Sequence, residues 1–357
     1  DLPELRGACS SLRSVPRSCI RCRSELALTA SRRIVVGVPR RIPAFAILPA
    51  SPAMPRLLTV VVFVALLSPV VILWAETPPE QEEAIKALRG WTSNLQKNRD
   101  GTVRFIRFSK PAVSDEHLAH VPAFKQLDYL AVVTPSVTDD GLKHIAGLTN
   151  LDTLFLSDSS LTDVAMPAMQ GLAKLERLYL DRTKVTDSGL SNIAGLSTLT
   201  TLTTLSLVGT SITDQGLAHL AKLANLEVLI LSGTKISDDG LNSIGKLSKL
   251  KSLFLDETAV SGAGFEHLTQ LQNLEVLSLR ATNFDADSLA TLSGCQKLNR
   301  LLLYETETTA DDIAPLQAKL TKLIVKLGAT PAKSKSVFQR LLDGEKLNGP
   351  STKVSGP

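Results

Sequence analysis

The chain has 357 residues, of which 44% are hydrophobic and only 4% aromatic, and its formal net charge is +4. Residues 1–53 hold nine Arg, no Lys and three acids, and Arg56 adds one positive charge, so residues 57–357 carry a net charge of −3. This negative balance argues against a nucleic-acid partner. Three of the four Cys lie before residue 54, which excludes a disulfide framework in the remainder.

The first segment, residues 1–53, is rich in Arg, Ser, Pro and Ala and shows no hydrophobic period. Arg- and Ser-rich, acid-poor sequences are typical of transit peptides. We favour a different interpretation, in which Met54 is the true start and the preceding residues are wrongly translated upstream sequence or a disordered extension. Cys19 and Cys22 have no second ligand pair and no nearby His, so they do not predict a zinc site.

Residues 54–75 predict a secretory signal peptide. A short positive segment, MPR, precedes an almost unbroken apolar run at 57–75, and cleavage is expected before Glu76. The mature protein is then exported, to the periplasm, the cell envelope or the medium. Because the apolar run is 19 residues long, an uncleaved membrane anchor over 57–75 is the alternative.

Residues 76–102 predict an N-terminal cap for the domain that follows. Thr77 is expected to N-cap a short helix, and Gly90 is expected to end it. The dipeptide Asp-Gly at 100–101 is a turn signal between two strand-like segments. The sequence therefore predicts a capping hairpin.

From Val103 the chain repeats the pattern L-x-x-L-x-L-x-x-T-x-[IV]-[TS]-D-x-G-L-x-x-[IL]-x-x-L. The step between copies is 24 residues, except for one step of 27 residues that contains three extra residues within 197–201. A degenerate last copy is expected at Leu320-x-x-Leu323-x-Val325. The full copies begin at Val103, Leu127, Leu151, Leu175, Leu202, Leu226, Leu250, Leu274 and Leu298.

The leucine spacing and the T-D-x-G-L segment resemble the leucine-rich-repeat family over residues 80–326. The repeats are similar to those of bacterial exported proteins and to the cysteine-containing repeats of F-box substrate adaptors. The resemblance implies an α/β solenoid over 103–326, a horseshoe of nine repeats and a degenerate terminal one. Its parallel β-sheet would be concave and its short helices convex. The family usually has Asn or Cys at the ninth repeat position, where this chain has Thr from the fourth copy onward.

Each repeat carries polar positions with an expected structural role. Thr or Ser followed by Asp predicts a helix N-cap with an acid in the first turn, where the helix dipole favours negative charge. The ninth-position Thr hydroxyl is expected to bond the backbone of a neighbouring turn. These roles account for the repeated polar residues without any catalytic function.

In each copy the inward leucines alternate with residues that must face the concave side of the sheet. Their three columns contain every Tyr of the protein, which predicts an exposed apolar and aromatic stripe that binds a protein, peptide or surface polymer. The alternative is that these rings only stack on their ladder neighbours, as Phe155 and Tyr179 would. The predicted binding residues are Phe105, Arg107, Tyr129, Phe155, Arg177, Tyr179, Asp181, Ile230, Phe254, Asp256, Arg280, Leu302 and Tyr304.

No catalytic, cofactor-binding or metal-binding residue is predicted. Four His (His120, His144, His219 and His267) share one convex repeat position without a thiol or carboxylate set, so they do not predict a metal site. Cys295 occupies a core leucine position and is expected to be a buried thiol. The stretch 240–246 imitates a P-loop but is followed by Leu247, where magnesium binding needs Ser or Thr.

The sequence thus predicts a non-enzymatic, monomeric, exported binding scaffold without a cofactor. One alternative is an intracellular F-box-like adaptor for substrate recognition in ubiquitin ligation, although residues 1–102 offer no F-box-like helical module. A second alternative is a membrane-anchored surface receptor or adhesin. Residues 327–357 are expected to form a C-terminal cap and a disordered tail, with one short amphipathic helix at 336–342.

Overall fold

The computed structural model describes residues 77–329, apart from Ser109. All of these residues belong to one structural unit, which spans residues 72–357. The predicted upstream extension, the predicted signal peptide or anchor, the Cys19–Cys22 pair and the predicted helix at 336–342 lie outside the described residues.

A single sheet of eleven strands runs through the described residues, and its strands are ordered as they follow one another in the chain. The first pair is antiparallel and every later pair is parallel. The strands are β1 (Thr92–Lys97), β2 (Val103–Phe108), β3 (Tyr129–Ala131), β4 (Thr153–Phe155), β5 (Arg177–Tyr179), β6 (Thr204–Ser206), β7 (Val228–Ile230), β8 (Ser252–Phe254), β9 (Val276–Ser278), β10 (Arg300–Tyr304) and β11 (Ile324–Gly328).

Short helices return the chain from one strand to the next. The α-helices are α1 (Pro79–Ala87), α2 (Asp115–Leu118), α3 (Asp139–Ile145), α4 (Asp187–Gly195), α5 (Asp214–Leu217), α6 (Asp238–Ile244), α7 (Phe265–Leu268) and α8 (Ala310–Lys319). The 3-10 helices are η1 (Val121–Ala123), η2 (Asp163–Gly171), η3 (Ser197–Thr201), η4 (Ala218–Lys222) and η5 (Ala286–Gly294).

The N-terminal cap is the predicted helix and hairpin. Strand β1 pairs antiparallel with β2, and Gln81 of α1 is buried and accepts a hydrogen bond from Val103 N–H at 2.9 Å. The predicted N-cap is wrong by one residue, because Pro78 holds that position without a side-chain cap bond. The Thr77 hydroxyl instead accepts a hydrogen bond from Lys97 Nζ at 2.7 Å.

The hydrophobic core lies between the sheet and the helices. The middle residue of each short strand points inward and is fully buried, as Leu154, Leu178 and Leu229 illustrate. Since a lone repeat cannot bury enough apolar surface to fold, the core depends on stacking of neighbouring copies. This single core extends from Ala84 in α1 to Leu323 just before β11.

A ladder of aspartates links the helix side of successive repeats. The carboxylate of Asp187 accepts hydrogen bonds from Thr213 N–H at 2.9 Å and Thr213 Oγ1 at 2.6 Å, one repeat further along the chain. The first-turn Asp therefore does more than complement a helix dipole, which was its predicted role. The same two bonds join Asp115 to Thr138, Asp139 to Thr162, Asp163 to Thr186, Asp214 to Ser237 and Asp238 to Ser261.

The ladder also explains the glycine of the T-D-x-G-L segment. A Cβ atom at Gly216 would lie 2.8 Å from the carboxyl carbon of Asp187, where real side chains do not fit. Gly189 and Gly240 approach the preceding ladder aspartate in the same way. Asp and Gly are thus complementary halves of one contact between neighbouring repeats.

The prediction that the ninth-position threonines bond a neighbouring turn is wrong. Thr183 Oγ1 donates to Leu180 O of its own repeat at 2.7 Å, and Thr210 donates to Leu207 O at 2.6 Å. The hydroxyl therefore closes the turn that follows each strand. The link between repeats is made by the ladder aspartate, whose side chain is longer than that of threonine.

Two copies of the repeat depart from the regular pattern, one by an insertion and one by its phase. The three extra residues lie within η3, a five-residue 3-10 helix, and the register of β5 with β6 is undisturbed, with Leu178 opposite Leu205. In the last copy the predicted phase is wrong by two residues, because Leu301 pairs with Val325 instead of Leu323. Strand β11 also continues to Gly328, beyond the predicted end of the repeat domain at 326.

Candidate functional site

The candidate site is the face of the sheet that points away from the helices, which we call the open face. Its side chains form three columns, headed by Phe105, Arg107 and Val133. A second apolar cluster lies on this face, separate from the core. Among the described residues, only strands and the turns after them contribute to the cluster, whose buried members are Ala131, Phe155, Tyr179, Val228, Ile230, Phe254 and Val276.

Four aromatic rings stack along the first strands of the open face. The rings of Phe105 and Tyr129 are parallel within 10° at a centroid distance of 4.1 Å, and those of Phe155 and Tyr179 within 3° at 3.9 Å. Tyr129 and Phe155 are tilted by 44° at 5.5 Å. Because the rings cover one another's faces, they offer mainly edges to any partner. Ladder stacking of Phe155 on Tyr179 is therefore present.

The centre of the open face is buried, which corrects the prediction of an exposed stripe. Phe155 and Ile230 are each 1% exposed, Tyr179 is 2% exposed and Phe254 is 3% exposed. The predicted residues at the two ends of the sheet are half-buried. They are Phe105, Arg107 and Tyr129 near the N-terminal end and Leu302 and Tyr304 near the C-terminal end. A partner approaching from solvent would therefore meet the ends first.

The two aspartates of the open face are buried and bonded within the chain. Asp181 accepts hydrogen bonds from Ser206 Oγ and from Val208 N–H at 3.0 Å. Asp256 accepts the equivalent bonds from Ser278 Oγ and from Arg280 N–H at 3.0 Å, three strands further along. These contacts tie adjacent strands together, so neither carboxylate is presented to a partner as predicted.

Burial controls the acidity of this face. It raises the pKa of the Asp181 carboxyl to about 6, although the hydrogen bonds from Ser206 and Val208 act in the opposite direction. It also raises the pKa of Asp256, against hydrogen bonds from Ser278 and Arg280. Desolvation outweighs these bonds and also the positive charges of Arg182, which lowers the pKa of Asp181, and of Arg280, which lowers the pKa of Asp256.

The two predicted arginine contacts also have partners within the chain. Arg177 is half-buried and bonds Thr153 Oγ1 at 2.7 Å and Asp152 Oδ1 at 2.8 Å. Arg280 forms ion pairs with Glu257 and, at 3.4 Å, with Glu305. Both guanidinium groups remain partly accessible, so they can serve a partner only in addition to these bonds.

Sequence reasoning missed one exposed residue beside this face. Ile324 at the start of β11 is 53% exposed, and it lies in register with Arg300 of β10. The columns were assigned only for the nine full copies, and Ile324 lies in the degenerate last copy. The 24-residue step from Arg300 was the signal that could have identified it.

The described residues hold no cluster of metal ligands. No group of three or more His, Cys, Asp or Glu side chains could hold a metal ion in this part of the chain. His120 and His144 are exposed on the helix side, and Cys295 is buried with its thiol donating to Leu268 O at 3.3 Å. Burial raises the pKa of the Cys295 thiol to about 11, so the thiol stays protonated and is a poor nucleophile.

The helix side has a shallow polar depression that the sequence did not predict. It is lined by Asp187, Ser188, Ser191, Asn192, Gln215 and His219. The carboxylate of Asp187 already serves the ladder through Thr213. The depression is open to solvent. Over residues 77–329, no helix is long and apolar enough to span a membrane.

These features define the class of the protein. A sheet whose strands pair at a 24-residue step, with short helices on one side, is an α/β solenoid of leucine-rich repeats. Residues 198–221 and 222–245 match the family model described as Leucine Rich repeat. The match and the fold confirm the resemblance inferred from the leucine spacing. A search of curated proteins finds no match to the chain.

Solved structures with a similar fold include three leucine-rich-repeat proteins. An internalin, inlF from Listeria monocytogenes, is 16% identical, with a TM-score of 0.38, and the match covers 71% of this chain and 91% of the internalin. The PEPR1–AtPEP1 complex gives 17% identity, a TM-score of 0.41 and coverage of 71% and 39%. The plant peptide hormone receptor RGFR1 in complex with RGF2 is 22% identical, with a TM-score of 0.43, and the match covers 67% of this chain and 37% of the receptor chain. The chain spans under two fifths of each of these last two chains.

Proposed function

We propose that the protein is an exported, non-enzymatic scaffold that binds a protein or peptide through the open face of its sheet. The observation that carries this proposal is the contrast between repeated and varied positions. The inward leucines and the ladder aspartates recur from copy to copy, whereas the open-face side chains change with every strand. The repeat's own packing does not require this variety.

The accessible ends of the open face have the composition of a binding surface. Phe105 and Tyr129 lie half-buried at one end, and Arg300 and Tyr304 lie half-buried at the other. Tyr, Phe and Arg are the residue types enriched where proteins bind one another, because they combine large contact area with polar groups. The two ends together therefore favour a polypeptide partner.

Charge distribution favours a polypeptide over a charged surface polymer. Several cations beside the open face are held in ion pairs between neighbouring strands. Arg104 pairs with Asp128 at 3.1 Å and Lys251 with Glu227 at 2.8 Å, in addition to the pairs of Arg177 and Arg280. A polyanion would have to compete with these carboxylates. We therefore expect binding that depends on apolar contact and only weakly on salt.

The test is affinity capture with the purified protein as bait from its native source, quantified by mass spectrometry. Tyr129→Ser and Tyr304→Ser alter opposite ends of the open face, while Val164→Ser is a matched control because Val164 is 75% exposed on the helix side. Proteins retained by the control and lost with either tyrosine variant would support the proposal. Identical recovery with all three variants would remove the open face as the binding surface.

Export is tested separately on the intact gene product. We expect the mature chain to begin at Glu76, which mass spectrometry of its N-terminus would show. A mature N-terminus upstream of residue 54, together with recovery from the cell interior, would contradict export. The binding proposal does not depend on that result.

A further inference from the structure

The aspartate ladder does not run the whole length of the repeats. It links six successive repeat junctions, from Asp115 to Ser261. At the next repeat the ladder position is Gly262, which has no carboxylate, and one repeat later it is Ala286. The last two junctions therefore lack the side-chain link that all earlier ones have.

Other contacts on the helix side do not replace the missing links. At the first of these junctions, a backbone hydrogen bond joins Asp285 N–H to Ser261 O at 2.9 Å, and the Cys295 thiol, a weak donor, bonds Leu268 O at 3.3 Å. At the second, Asp312 bonds Thr309 N–H and Thr309 Oγ1 of its own repeat, both at 2.7 Å. Among the described residues, no side-chain hydrogen bond connects η5 with α8.

The missing links have energetic weight because solenoid stability is nearly a sum of repeat and junction terms. Each ladder aspartate accepts at least two hydrogen bonds on its charged carboxylate, the kind worth most in folded proteins, and Asp238 accepts four. A junction without them should open more often than one with them. Strand pairing does not offset the difference, because β9 and β10 are joined by three residue pairs, the same number as β7 and β8.

We propose that residues 300–328, which comprise β10, α8 and β11, open and close as one unit while the repeats before Gly262 stay folded. This unit carries Arg300, Leu302 and Tyr304, the accessible C-terminal end of the open face. On the proposed function, on which this step rests, a partner that docks there orders a movable part of the solenoid. The opening itself is a property of the free protein.

The experiment is native-state hydrogen exchange with mass spectrometry on the full, partner-free chain. Amide protection in β10, α8 and β11 should be at least tenfold lower than in β7 and β8, with a step between β8 and β10. A gradual decline toward the C-terminal end, with no step, would be ordinary end fraying and would overturn the proposal.

Two variants test the cause of the step. Ala286→Asp with Asp312→Gly rebuilds the aspartate and the glycine of the ladder opposite Thr309, and protection in α8 and β11 should rise about tenfold, the effect of 1.4 kcal/mol. Ala286→Asp alone is the matched control, since its carboxylate would face Asp312. Unchanged protection in a folded double variant would contradict the proposal.

Should the double variant not fold, removal of an existing link decides the question. Asp238→Ala removes the last aspartate of the ladder. The step in protection should therefore move toward the N-terminus and lie before Ser261. A step that stays in place would show that the ladder aspartates do not set the boundary. Because these measurements use no partner, they remain valid even if the open face proves not to bind one.

Discussion

The two sides of this solenoid follow different rules. On the helix side, the same residues recur in the same contact, as Asp187 with Thr213 and Gly216 shows. On the open face, neighbouring strands present different residues, as in the series Phe155, Tyr179 and Ser206. Repetition on one side maintains the stacking, which leaves the other side free to vary. The comparison teaches that residues outside the repeat pattern are the ones to examine for function.

The largest expected loss of stability comes from disrupting a contact between repeats on the helix side. Gly216→Val places a branched side chain where the Asp187 carboxylate lies, and we expect a loss of about 4 kcal/mol in the free energy of unfolding. Urea denaturation followed by circular dichroism would measure it. Gly195→Ala is the control, because a Cβ there meets no atom within 4 Å. Equal effects of both changes would disprove the close-contact explanation.

A second prediction concerns the buried carboxylate of the open face. The pKa of Asp181 is about 6 in the folded protein and 3.8 without the fold, so the folded state binds the proton more tightly. Its contribution to stability is complete below pH 3.8 and is lost as pH rises to about 6, a change of about 3 kcal/mol.

Replacement by a neutral residue isolates that contribution. Asp181→Asn should gain stability relative to the parent protein between pH 4 and pH 7, as urea denaturation across this range would show. Asn192→Ala changes an exposed residue of the helix side that carries no titratable group, and it should show no such trend. A stability difference between Asp181→Asn and its parent that does not vary with pH would rule out the buried carboxylate as the source.

Removing one aspartate of the ladder should change the stability less than Gly216→Val or the ionisation of Asp181. Asp187→Ala removes two hydrogen bonds and should cost about 2 kcal/mol. Adding Thr213→Val should cost little more, because the hydroxyl has already lost its acceptor; a double-mutant cycle by chemical denaturation measures this coupling. Additive effects of the two changes would show that the bond contributes nothing to the junction.

The smallest effect on stability is expected at an accessible end of the open face. Tyr304→Ala should change the free energy of unfolding by less than about 1 kcal/mol, since the side chain is half-buried. Phe254→Ala, at the buried centre, should cost about 3 kcal/mol. Thermal unfolding of both variants would sharpen the contrast between centre and ends, and similar losses would contradict it.

Much of the fold could be predicted because leucine spacing reports burial directly. The inward column through Leu154 and Leu229 and the capping hairpin at β1–β2 follow from local pattern and turn chemistry. The last copy was misplaced because Leu323 is a leucine in a plausible position, whereas the register follows the 24-residue step to Val325. Pairing with β10 outweighed the local sequence.

The site could be predicted only as a set of positions. The alternation in each strand assigns Phe155 and Asp181 to the open face, but it does not tell whether a side chain there meets solvent or neighbours. Phe155 is buried and Asp181 is bonded by Ser206, a residue 25 positions away. Such contacts depend on register and packing across several strands, which one sequence does not reveal.

By itself, then, the sequence determined a stacked α/β repeat with its leucines inside, because a 24-residue period leaves a lone copy unable to bury its apolar face. Tertiary structure decided which polar residues join the copies and which open-face side chains stay accessible. These properties arise from atoms one repeat apart in the chain that meet only when the coils stack. Their distances, and not the residue types alone, determine what each side chain can do.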